Sequence, residues 1–96
     1  MSTLIIRAAF VKSLFALEAN SVVVGSEQRD TLRGCSRQWG KVGSDAALFK
    51  GFGILESAAP KSETNDSAYD ACVAARRAYW RSLSTQAQAA IRQQLA

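Results

Sequence analysis

Apolar side chains return at intervals of three and four residues along most of this chain, the spacing that lays them on one face of an α-helix. The fullest case is Ser67 to Leu83, SAYDACVAARRAYWRSL. Ala68, Tyr69, Cys72, Val73, Ala75, Tyr79, Trp80 and Leu83 share one broad face there, while Asp70, Ala74, Arg77 and Arg81 take the other. Good helix formers and three large aromatic rings make it the expected central helix. Arg76 falls in the middle of its apolar face. Either its stem packs on the core and its guanidinium reaches Asp70, Glu56, a carbonyl or an aromatic ring, or Arg76, Tyr79 and Trp80 form an exposed binding cluster. The first reading is preferred.

The remaining segments follow the same period. Residues 3–19 carry Leu4, Ile5, Ala8, Val11, Leu14, Phe15 and Leu17 behind a Ser2 or Thr3 cap, with polar residues so scattered that most of the circumference is apolar. A buried or partner-covered helix is the leading reading, ahead of a basic presequence or a membrane-surface helix. Arg7 and Lys12 break the run well short of a transmembrane span. Residues 21–25, SVVVG, are locally strand-like, but with no evident partner strand they read as a buried connector.

Ser26 starts a helix predicted over 26–41, with Leu32, Cys35, Trp39 and Val42 inward. Arg29, Arg33, Arg37 and Lys41 recur every four residues as one basic ridge. A helix over 45–58 carries Gly51 and Gly53 on either side of Phe52, a sign of a bent helix or a close backbone approach. Phe52 beneath it is read as core. Pro60 to Asp66 is the clearest loop, and Ser84 or Thr85 caps a last helix over 85–95. These elements predict an all-α, single-domain bundle of four to five helices spanning residues 1–96, with a short extended segment at 21–25.

Composition sharpens this picture in two places. With 96 residues, the chain should bury about two-thirds of its unfolded surface, and much of its 48% apolar content is alanine, which buries little area per residue. A bundle so built is apt to find further apolar area in a partner. Charge is the second: 12 Lys and Arg stand against 8 Asp and Glu, and Arg76, Arg77, Arg81 and Arg92 follow the last acidic side chain, Asp70. Such a surface suits nucleic acid, an anionic membrane surface or an acidic protein face, although a plain solvated surface is the preferred reading.

Catalytic chemistry finds little to stand on. The chain has no histidine, so the usual general base and the commonest metal ligand are missing. Its carboxylates sit singly at helix starts and loops, and its two cysteines lie in no C-x-x-C motif. Gly34 to Val42 imitates a phosphate loop but has five residues between glycines and lacks the Ser or Thr for magnesium. No enzyme activity, metal or cofactor is expected. Cys35 and Cys72 are expected as free buried thiols in a reducing cytoplasm, with one Cys35–Cys72 bridge as the alternative.

What is left is a small non-catalytic interaction protein that binds, and on one reading inhibits, a larger protein or nucleoprotein assembly with an acidic surface. The candidate contact residues are Arg29, Arg33, Arg37, Lys41, Arg76, Arg77, Trp80 and Arg81. In kind, though with no shared motif, it resembles the accessory proteins of bacteriophages, including inhibitors of host defence such as anti-CRISPR proteins. Its basic charge argues against a DNA-mimic inhibitor. The alternatives are a basic helical nucleic-acid-binding domain and a helical homodimer completed by its N-terminal helix.

Overall fold

A computed structural model describes residues 2–61 and 65–96; the middle of the expected loop at 60–66 lies outside the described residues. Among the described residues the chain forms five helices: α1 (Thr3–Ala19), α2 (Ser26–Ser36), α3 (Asp45–Glu56), α4 (Asn65–Ser82) and α5 (Thr85–Leu95). Two-residue strands β1 (Ser21–Val22) and β2 (Ala59–Pro60) complete it. The bundle is all-α in character, as expected. Ser2 caps α1 by accepting from the Leu4 amide at 3.2 Å, and Ser84 caps α5 by accepting from the Ala87 amide at 3.1 Å. These are the sites the cap residues marked.

α4 has the expected phase. Cys72 and Tyr79 are fully inside, Ala68, Tyr69, Val73, Ala75, Trp80 and Leu83 are half-buried, and Asp70, Ala74, Arg77 and Arg81 face solvent. It lies chiefly along α1, while α2 packs on α3, and α3 also meets α1 and α5. The core runs between these helices. Phe10 from α1 meets Phe49, Phe52 and Tyr79 with centroid separations of 5.5, 6.5 and 6.1 Å, all in tilted arrangements. Phe52 is buried as core, and of the glycines on either side of it only Gly51 is closely packed. Cys35 and Cys72 are both free and buried.

Three expectations are corrected. The segment at 21–25 does find a partner: Ser21 pairs with Pro60 and Val22 with Ala59 in an antiparallel clasp. The Lys61 amide extends it to the Asn20 carbonyl at 2.9 Å, and Lys61 Nζ donates to the Ala19 carbonyl at the C-terminal end of α1. Proline has no N–H, which helps keep so short a ladder from growing. The helix predicted over 26–41 ends at Ser36, and residues 37–43 turn with hydrogen bonds such as Lys41 N–H to the Gln38 carbonyl at 2.9 Å. Gly43 closes this turn at a φ of 93°, a conformation that suits glycine. Val42, expected inward, is therefore 79% exposed.

Trp39 is the largest wholly buried side chain, and Gly51 of α3 lets it in. A Cβ at Gly51 would stand 2.6 Å from Trp39 Cζ2, and the indole is pinned by its Nε1–H donating to the Ala47 carbonyl at 3.0 Å. A Cβ at Gly53 would meet nothing within 4 Å. Opposite outcomes are expected from the same substitution. Gly53→Ala should stabilise the fold by about 0.5–1 kcal/mol through helix propensity, whereas Gly51→Ala should destabilise it by about 1–3 kcal/mol through overpacking. Urea denaturation of both variants checks this.

Candidate interaction surface and its anchor

Arg7 anchors the turn beside which half of the candidate residues, Arg29, Arg33, Arg37 and Lys41, lie. On α1 it shares the stripe of Phe10, Leu14 and Leu17, so the helix carries it inward rather than to solvent. Its Nε donates to Asp45 Oδ1 at 3.1 Å, and its two terminal nitrogens donate to the carbonyls of Trp39 (3.1 Å) and Lys41 (2.7 Å). Tyr79 Oη donates to the same Asp45 oxygen at 2.7 Å. Asp45 stands in the first turn of α3, where the helix dipole favours a carboxylate. One guanidinium and one carboxylate thus join α1, the 37–43 turn, α3 and α4. Desolvation of the guanidinium is offset only because its donors are satisfied in this way.

The basic ridge is divided between α2 and the turn that this anchor holds. α2 ends at Ser36 and the 37–43 turn follows, so the ridge does not run on as one helical row, and the Trp39 and Lys41 carbonyls of that turn accept from Arg7. Arg29 and Arg33 stand side by side on α2, Arg37 is its C-terminal cap residue, and Lys41 lies beyond it in the turn. All four are exposed. Among the described residues, Asp30 comes nearest to pairing one of them, 3.9 Å from Arg33 with both side chains largely in solvent. Arg29 and Arg33 also line a cleft of about 330 Å³ shared with Glu18, whose pKa is raised by burial against the opposing charge of Lys61.

Arg77 and Arg81 are exposed on α4, a helix packed mainly on α1, so they belong to a different helix pair from α2. Trp80 is half-buried, set edge-on to Phe49 at 5.2 Å with the Arg92 guanidinium 5.1 Å from its ring centre. Arg76 packs inward, its guanidinium carbon 5.3 Å from the centres of both Phe49 and Phe52. Tyr79 is buried on Asp45, so Arg76, Tyr79 and Trp80 make no exposed cluster.

An apolar stripe was not among the expected contact residues. Leu4 and Ile5 are 61% and 60% exposed, and with Phe15 they form the outer face of α1, interrupted by Lys12. Phe15 lies edge-to-face on Trp39 at 5.0 Å, and a groove of about 440 Å³ runs past Ala8, Val11, Phe15 and Gly40. The signal was the nearly all-apolar circumference of α1: one side enters the core and the other remains outside. No family model matches this chain, and no curated protein or solved structure matches it.

Two predictions concern the anchor. Arg7→Met should destabilise the fold by about 3 kcal/mol, and combining it with Asp45→Asn should reveal a coupling of about 1–3 kcal/mol in a double-mutant cycle followed by urea denaturation. The second uses Tyr79, whose hydroxyl pKa is raised from its ordinary 10.0, first by burial and then by the hydrogen bond to Asp45 and its charge. Above that ordinary value the unfolded chain releases a proton that the folded chain keeps. Tyr79's share of stability is thus complete below about pH 10 and lost as pH rises beyond it. Burial of Cys35 and Cys72 acts in the same direction, so the wild type should be compared with Tyr79→Phe. Between about pH 9 and about pH 11.5 the variant should lose stability with the shallower slope.

Proposed function

We propose that this protein is a small, non-catalytic interaction module that binds a larger protein or nucleoprotein assembly through the outer face of α1, the 37–43 turn and α2. The observation that carries this reading is the exposed Leu4, Ile5 and Phe15 stripe adjoining a row of cations that are largely unpaired among the described residues. Phe15 touches Trp39 of the turn, and the Arg29–Arg33 cleft shares Glu18 with α1, so apolar and basic groups meet on neighbouring elements. Apolar anchors bordered by cations suit a partner with an apolar patch inside an acidic rim. Binding of this sort inhibits when it covers the partner's working surface. Free buried cysteines fit a reducing compartment such as the cytoplasm. Among the described residues, no helix is long and apolar enough to cross a membrane.

Affinity capture from the native host, with and without nuclease, tests the proposal. A protein should be retained after nuclease treatment. Its capture should fail with Leu4→Asp and, separately, with the pair Arg33→Glu and Arg37→Glu, while melting temperatures stay within about 3 °C of wild type because these side chains are solvent-exposed. Retention abolished by nuclease, with affinity falling steeply as salt rises, would replace this reading with direct nucleic-acid binding.

A further inference from the structure

The basic turn and the apolar stripe leave one polar feature unused. Between α3 and α4 lies a cavity of about 330 Å³, walled by Phe49 and Phe52 on one side and by Tyr69 and Arg76 on the other. Arg76 Nε is shut off from solvent and has no hydrogen-bond partner among the described residues. No carboxylate among the described residues lies within ion-pairing distance of its guanidinium. Glu56, the nearest candidate on the cavity wall, instead accepts from Tyr69 Oη at 3.1 Å. Arg76 Nε is closed to a ligand as it is to water, but the two terminal nitrogens of the guanidinium make no hydrogen bond among the described residues and are the donors a ligand in the cavity can reach.

We propose that this cavity binds a monocarboxylate, with Arg76 as its counter-cation. The phenyl rings of Phe49 and Phe52, both 5.3 Å from the guanidinium carbon, hold the planar fork in one orientation, as bidentate capture of a carboxylate requires. Arg77 adds a second cation on the wall and Glu56 an anion, leaving one net positive charge for the ligand. Glu56 and the C-terminal end of α3 both oppose a doubly charged phosphate. The backbone amides around the cavity are spent inside α3 and α4, so the ring of N–H donors that favours phosphate is missing there. Gly53 opens the entrance, since nothing lies within 4 Å of where its Cβ would stand.

The carboxylate comes either from a glutamate or aspartate side chain of a partner or from a free organic acid. Only the first source rests on the interaction reading. The test uses small probes without a partner, so failure here leaves that reading intact, and failed capture leaves this site intact.

The Arg76 Nε–H resonance should be followed by NMR during titration with blocked glutamate, benzoate, blocked glutamine and inorganic phosphate. A saturable shift is expected with blocked glutamate or benzoate; tighter binding of the former identifies a partner side chain, of the latter a free acid. Gly53→Leu, which fills the entrance without touching a charge and favours helix, should weaken carboxylate binding by at least about tenfold. Arg76→Gln should abolish carboxylate-induced shifts of the surrounding backbone amides. An equal response to blocked glutamine or phosphate would overturn the proposal. So would undiminished binding by a folded Gly53→Leu protein.

Discussion

The Arg7–Asp45 pair is the interaction on which the rest of this bundle depends. Its members lie 38 positions apart, and Tyr79 adds a third, later segment on the same carboxylate oxygen. Apolar packing alone tolerates sliding of one helix past another, whereas a forked cation with fixed acceptors does not. The buried charge contributes register more than net energy. It also holds the turn that follows α2 against α1, through the Trp39 and Lys41 carbonyls.

That dependence explains what was legible in the sequence and what was not. α1, α5 and the inward face of α4 were readable because local caps and an unbroken apolar period determine them. The end of α2 was not, since the 26–41 pattern is locally a good helix and the turn that replaces its last residues is held by Arg7 of α1 and by Trp39 packed on α3, contacts remote in the chain. Val42 followed the same error outward. The β1–β2 clasp escaped notice because Ala59–Pro60 has no strand character of its own. Arg7 left a trace: it occupies the stripe of Phe10 and Leu14, where an arginine must find acceptors. Arg76 stood out in the same way, but its partners, Phe49 and Phe52, lie on another helix and no local spacing discloses them. Of the expected contact residues, Arg29, Arg33, Arg37 and Lys41 share one region of the surface, whereas Arg76 and Trp80 are drawn into packing.

Gly51 and Gly53 show how one short sequence serves two purposes. Two residues apart on a helix, they face nearly opposite directions. Gly51 receives the indole of Trp39 and is closed; Gly53 looks into open space beside Arg76. The pair reads from sequence as a single flexible spot. In three dimensions one glycine is a packing requirement and the other an entrance.

The docking of α4 on α1 carries a consequence for the order of assembly. These helices are joined through the whole α2–α3 excursion, and the clasp of Ser21–Val22 with Ala59–Pro60 ties off that excursion at its base. Contacts so remote in sequence cannot form until a long intervening segment has been drawn together. The molecule should therefore reach its native state more slowly than an up-and-down helical bundle of equal length, whose neighbours in space are also neighbours along the chain.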